Sequence, residues 1–233
     1  MARLARVVIP HVAHHITQRG NRRLPIFFAD DDRAAYLKLL AASFAVTDTR
    51  CLAWCLMDNH VHLILVPADP DGLRAALGEA HRRYTRLVNF REGWRGYLFQ
   101  GRFASYPMDD AHLIAAVRYV ENNPVAARMV GHAEDWTWSS ARSHIAGRRV
   151  AGDRLTHVAA LKAHVPNWRA MLRYGAELGA ASAQEEALAE AIEGRLRTGR
   201  PLAAAEWVAA QEAALDRLLA PQRRGPKVRA EAN

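Results

Sequence analysis

Apolar residues along the chain fall into two kinds of segment. Cys51 to Leu56 and His60 to Val66 are short, β-branched-rich runs separated by Met57-Asp58-Asn59, the pattern of two adjacent strands joined as a hairpin. His11 to Thr17 and Phe99 to Pro107 read as two more strands. Between them lie stretches with helical spacing. Asp30-Asp31-Asp32 gives an acidic start to a helix reaching about Val46, with Ala35, Leu39 and Ala42 on its inner side. Asp71 opens a second helix to about Phe90, with Leu73, Leu77, Ala80, Tyr84, Leu87 and Val88 as its apolar face. A third begins at Asp109-Asp110 and carries Leu113, Ala116, Val117 and Val120. It is expected to end at Asn122-Asn123, because the residue before Pro124 is pushed away from helical angles.

Composition shifts near Gly147-Arg148-Arg149. The remainder is Ala-rich and patterned as short helices over 156–164, 166–178, 184–197 and 203–219. The chain therefore divides into a domain over 1–149 and a helical extension over 150–233. Arg195 to Pro201 reads as a solvated linker and Arg223 to Lys227 as part of a basic, disordered tail.

Within the hairpin, side chains alternate between faces. His60, His62 and Ile64 share one face, while Val61, Leu63 and Leu65 share the other and belong to a core. Two imidazoles on one face suit a single divalent ion, since the apolar face anchors them in the sheet. Two polar residues on a half-buried strand is the alternative.

Charge narrows the partner. With 32 Lys+Arg against 24 Asp+Glu, the chain carries a net +8 and a pI near 10.1, which favours a polyanion. Arg19-Gly20-Asn21-Arg22-Arg23 is a basic turn, suited either to solvent or to phosphate contacts. The second helix carries Arg74, Arg82, Arg83 and Arg86, and the basic run continues through Arg91, Arg95 and Arg102. Tyr84, Phe90, Trp94, Tyr97, Phe99 and Phe103 are interleaved with it. Cations mixed with stacking surfaces are what single-stranded or looped nucleic acid needs, although some of these rings belong to the core. No run of eighteen apolar residues exists, and the N-terminus lacks the apolar region of a secretory signal. Cys51 and Cys55, four apart on a strand, read as reduced core thiols. A cytoplasmic, nucleoid-associated protein without a membrane partner is expected.

On the third helix Tyr119 and Asn123 are four apart and so neighbours. A core tyrosine with a bonded hydroxyl is the plainer reading. The order of motifs adds to it: a basic Arg-Gly turn, Met57-Asp58-Asn59-His60-Val61-His62-Leu63-Ile64, Leu98-Phe99-Gln100-Gly101-Arg102-Phe103, then Arg118-Tyr119-Val120-Glu121-Asn122-Asn123-Pro124-Val125-Ala126-Ala127-Arg128. Together these resemble the single-tyrosine HUH transposases, most closely the REP-associated tyrosine transposases of bacteria, over about residues 5–146.

The resemblance implies an α+β, ferredoxin-like antiparallel sheet with packed helices (the HUH endonuclease fold). It implies a metal-dependent enzyme that nicks single-stranded DNA at REP-like hairpins and transfers the strand through a 5′-phosphotyrosine. Tyr119 takes the place of the nucleophile, with Tyr106 and Tyr84 as the other tyrosines to weigh. His60 and His62 take the place of the metal ligands, for Mg²⁺ or Mn²⁺. Asn123 stands where relatives of the insertion-sequence type carry a metal-binding Gln, one methylene longer. Arg19, Arg22, Arg23, Arg82, Arg83, Arg86 and Arg102 are the candidate DNA contacts. The protein would be a monomer or a homodimer. A non-cleaving DNA-binding protein and a metal phosphodiesterase using water are the competing functions.

Overall fold

The computed structural model describes residues 6–174 and 183–220. Four strands form one antiparallel sheet: β1 (His14–Arg19), β2 (Arg50–Leu56), β3 (His60–Val66) and β4 (Ala104–Pro107), in the order β2-β3-β1-β4. The expected hairpin is present. β2 and β3 pair antiparallel, and Met57 N–H donates to the His60 carbonyl to close the turn. Helix α1 (Asp30–Val46) joins β1 to β2, and α2 (Gly72–Glu92) joins β3 to β4, which gives the βαββαβ order of a ferredoxin-like α+β fold.

Alternation along β3 separates two cores. Val61, Leu63 and Leu65 pack with Tyr36, Leu37, Leu40 and Phe44 of α1 and with Leu73, Leu77, Ala80, Tyr84 and Val88 of α2. Ile64 points the other way, towards Leu113, Ala116, Val117 and Val120 of α3 (Asp110–Ala126). On α1 the buried face differs from the expected one, since Ala42 is exposed and Leu39 only partly buried. The larger rings and leucines displaced the small residues, because they remove more apolar area from water. Leu87 on α2 is likewise exposed rather than core.

Three further expectations fail in detail. Helix α3 runs through Pro124 to Ala126 instead of stopping at Asn123. Pro124 is buried within its last turn, and the backbone N–H groups of Ala127 and Met129 still close onto the carbonyls of Asn123 and Pro124. A proline so near a C-terminus removes one hydrogen bond, and burial of its ring offsets it. The strand expected over 99–107 is ordered as β only from Ala104. Residues 99–103 instead bridge to the 19–20 turn, with Gln100 N–H donating to the Arg19 carbonyl. The helix expected over 156–164 is a single 3-10 turn at Val158–Ala160, because Thr156 and His157 lie along the edge of β2.

After α3 come the short helices α4 (Ala141–Ile145) and α5 (Trp168–Arg173), then α6 (Ala183–Thr198) and α7 (Ala205–Leu215). Residues 175–178 of the expected 166–178 helix and the tail at 223–227 lie outside the described residues. Packing runs past residue 149 without a break. Leu161, Trp168, Leu172, Ile192 and Leu202 are buried in the α3-side core. Both sheet edges are covered by chain that follows α3. Trp138, Ser140 and His157 hydrogen-bond to β2, and Leu202 N–H donates to the Pro107 carbonyl beside β4. Covered edges leave no row of open backbone groups for another chain. Two buried carboxylates hold this region down. Glu121 of α3 accepts from Ser140 Oγ at 2.5 Å, His144 Nδ1 at 2.6 Å and Trp168 Nε1 at 2.7 Å. Asp153 accepts from Ser143, Thr156 and the Trp54 indole.

Candidate active site

The α3-facing side of the sheet carries the titratable cluster. His60 and His62 stand on β3 with ring centroids 4.9 Å apart. Antiparallel register sets Arg19 opposite His60 and Thr17 opposite His62. Tyr119, on the first turns of the second half of α3, comes to 5.7 Å from the His62 ring, within the same chain. Asn123, one helical turn on, lies close enough to both His60 and Tyr119 to act on their pKa values, raising the first and lowering the second. The structure thus brings His60, His62, Tyr119 and Asn123 together at one spot.

Each histidine is held by a neighbour. Asn59 donates its Nδ2 to the Arg23 carbonyl at 3.0 Å, which turns its Oδ1 towards His60 Nδ1 at 2.7 Å. His60 Nδ1 therefore carries the hydrogen, and Nε2 keeps its lone pair. From the sequence Asn59 reads as a turn residue; here it orients a candidate ligand. His62 Nδ1 lies 2.9 Å from His15 Nε2, and His15 Nδ1 lies 3.0 Å from the Tyr106 hydroxyl. His15 is fully buried and was not singled out from the sequence. Strand alternation could have found it: Ala13, His15 and Thr17 share a face of β1, but the partner strand and register are needed to see what that face meets.

Burial, then the Arg19 charge, push His60 down to about 4, with Asn123 acting the other way. Burial and the neighbouring His15, His60 and Arg19 hold His62 well below an ordinary imidazole. Both rings are neutral at pH 7, the form that binds a metal. The donor set is chemically suitable for a divalent ion: two imidazole nitrogens, each with its other nitrogen engaged, beside the amide oxygen of Asn123. Among the described residues no group of three or more His, Cys, Asp or Glu is placed to hold a metal, so water or the oxygen donors of a substrate would complete a coordination sphere. Tyr119 is half-buried. Burial and the charge of Glu193 on α6 raise its pKa, while Asn123 and Arg19 oppose that rise. Tyr106 is fully buried, with its phenol pushed up by burial. Tyr84 lies in the opposite core and donates to the Ile26 carbonyl at 2.6 Å. Neither is reachable by a phosphodiester.

The basic residues are not all gathered here. Arg19 adjoins the histidines, while Arg22 and Arg23 stand exposed on the next turn, both in left-handed backbone conformation at φ 54° and 63°. Arg82, Arg83 and Arg86 are exposed on α2, which packs on the sheet face away from Tyr119, and Arg82 is paired with Glu79 at 2.8 Å. Arg102 is exposed on the loop before β4. Of the interleaved aromatics, Tyr84, Phe99 and Phe103 are buried, whereas Phe90, Trp94 and Tyr97 are exposed by 90%, 49% and 87%.

Among curated proteins no match is found. Of solved structures, one described as a REP-associated tyrosine transposase bound to a REP hairpin aligns with TM-score 0.55 at 19% identity, over 68% of this chain and 93% of that one. A second, described as a candidate transposase from Deinococcus radiodurans R1, aligns with TM-score 0.37 at 19% identity, over 52% and 97%. The first supports the fold. Residues 9–123, from just before β1 to Asn123 itself, match the family model described as transposase, IS200 like, and the chain belongs to that family of transposases.

Proposed function

We propose that this transposase nicks single-stranded DNA at REP-like hairpins and transfers the strand through a 5′-phosphotyrosine on Tyr119. The observation that carries the reading is the convergence of Tyr119, Asn123 and two neutral, oriented histidines in one subunit. Tyr119 Oη attacks the scissile phosphorus as the bond to the 3′-oxygen breaks. The phenol loses its proton and the leaving 3′-oxygen gains one, so the phosphodiester energy is kept in the tyrosyl ester. Arg19 lowers the cost of phenolate and presents a cation to the phosphate. Asn123 favours the Tyr119 phenolate in the same way. His60, His62 and Asn123 would hold a divalent ion, Mg²⁺ or Mn²⁺, which would polarise the phosphate oxygens and stabilise charge in the transition state.

Substrate contact is assigned to Arg19, Arg22 and Arg23 nearest the site, with Arg102, Arg82, Arg83 and Arg86 meeting more distant phosphates. Phe90, Trp94 and Tyr97 offer open rings on which unpaired bases can stack. Among the described residues no helix is long and apolar enough to cross a membrane. A nucleoid-associated protein, monomer or homodimer, whose active site is completed within one subunit is proposed, because Tyr119 reaches the histidines of its own chain.

The test is a denaturing gel of labelled hairpin DNA with Mn²⁺, Mg²⁺ or chelator, comparing wild type, Tyr119→Phe and His60→Ala/His62→Ala. A metal-dependent covalent band, lost in both variants, is the expected result. Cleavage that survives Tyr119→Phe without an adduct would replace this reading with hydrolysis by water. Hairpin binding without cleavage under either metal would leave a DNA-binding protein.

A further inference from the structure

His15 has no part in the reaction as set out above, yet it is one of the most completely buried polar side chains of the sheet. Its two ring nitrogens are both engaged, Nε2 with His62 Nδ1 at 2.9 Å and Nδ1 with the Tyr106 hydroxyl at 3.0 Å. The His15 and His62 rings are stacked at 5.1 Å, and Tyr106 meets His15 edge-on at 5.4 Å. β-Sheet register explains the contact: His15 lies directly across from Tyr106 on β4 and one pair diagonally from His62 on β3. Three strands thus contribute one ring each to a line that ends at the metal-facing histidine.

We propose that His15 and Tyr106 are positioning residues that set the tautomer and ring orientation of His62. This role rests on the reading of His60 and His62 as metal ligands. A neutral imidazole has one N–H. If Nε2 of His62 is to give its lone pair to a cation, Nδ1 must carry the hydrogen and needs an acceptor. His15 Nε2 is that acceptor, which makes His15 Nδ1 a donor, and the Tyr106 oxygen receives it. Both imidazole hydrogens in the line then have an acceptor. The alternative direction, with His15 Nε2–H donating to His62 Nδ1, would turn the His62 lone pair into the protein and leave a hydrogen facing the ion. His60 has the corresponding support from Asn59, so each candidate ligand has its own anchor. Ligating histidines are generally oriented in this way by the partner of their other nitrogen, and loss of the partner weakens the metal about 10- to 100-fold.

The experiment reads metal affinity without DNA or turnover. Free Mn²⁺ is titrated by its EPR signal against wild type, His15→Leu, His15→Gln, Tyr106→Phe and His60→Ala/His62→Ala, with thermal midpoints recorded alongside. His15→Leu is expected to raise the Mn²⁺ Kd about 10- to 100-fold. His15→Gln, whose amide oxygen can stand in for Nε2, should recover most of that loss at similar thermal stability, which a purely structural role would not produce. Tyr106→Phe removes only the far acceptor and should weaken binding by a smaller factor. A folded His15→Leu protein with wild-type Kd would overturn the proposal. Should that variant not fold, an unchanged Kd in Tyr106→Phe would do the same. Wild type binding Mn²⁺ no better than the double histidine variant would instead remove the metal reading on which the proposal rests.

Discussion

At the scale of single residues, the environment of Tyr119 is a balance of opposed charges. Burial and Glu193 make its phenolate harder to form, and Asn123 and Arg19 make it easier. Replacing Glu193 with Gln removes one of the opposing charges. The Tyr119 pKa should fall, and the pH profile of adduct formation should move to lower pH. A profile unchanged from wild type would show that Glu193 does not act on the nucleophile. His14 and His15 make a second prediction. Both are fully buried, and burial lowers them to about 4 and about 3, with the Val12 carbonyl partly opposing the fall at His14. His14 uses both nitrogens as a neutral ring, accepting from Ile9 N–H at 3.1 Å and facing the Val12 carbonyl at 2.8 Å. The unfolded chain takes up protons below its ordinary value near 6.5, while the native chain does not until far lower. Stability is therefore complete above about pH 6.5 and falls as pH drops towards 4, by about 1.4 kcal/mol per histidine per pH unit. At pH 5.5 these two histidines contribute a loss of roughly 2–3 kcal/mol relative to pH 7.5, and His60, His62 and His81, lowered in the same way, add to it, so urea unfolding should show a loss of at least that size. Equal stability at the two values would contradict the neutral assignment.

Among the elements, the 19–23 turn links the sheet to the exposed arginines. Gly20 lies at its start, where a Cβ would meet the Leu24 carbonyl oxygen at 2.1 Å and Ile26 Cγ2 at 2.9 Å. No side chain fits unless the turn opens. Gly20→Ala should cost about 2 kcal/mol and weaken hairpin binding together, because the same shift displaces Arg22 and Arg23. Calorimetry and a binding titration on one preparation check both, and an intact Kd with lowered stability would detach the turn from DNA contact. The strands and helices themselves could largely be read in the chain. Period-2 alternation over 60–66 and period-3.6 spacing over 71–90 are local signals, and local signals survive without a partner. The end of α3 could not be read so. The rule for residues before proline is also local, and it lost to the burial of Pro124, which is set by tertiary packing rather than by its neighbours in the chain.

For the whole molecule, the division at residue 149 bears on stability. The later segment places Leu161, Trp168, Leu172, Ile192 and Leu202 in the α3-side core and adds His157 to the β2 edge and Leu202 to the β4 edge. At about 2 kcal/mol for each large apolar side chain, its removal would cost roughly 10 kcal/mol, comparable to the entire stability of a domain. A chain ending at Arg149 is expected to aggregate or to lack a cooperative melt. A soluble, cooperatively melting fragment would establish residues 1–149 as an independent unit.

By itself the sequence determined the β hairpin with its paired histidines, the helices before and after it, the basic character and, through the order of its motifs, the transposase family. All of these rest on neighbours along the chain or on composition. Only the tertiary structure decided that Tyr119 reaches the histidines of its own subunit, that Tyr84 and Tyr106 are enclosed, that α2 carries its arginines on the far face, and that His15 and Asn59 stand behind the histidines. Those facts depend on strand order, register and the side of the sheet on which each helix packs. They follow from how the apolar faces are buried together, so no single segment contains them.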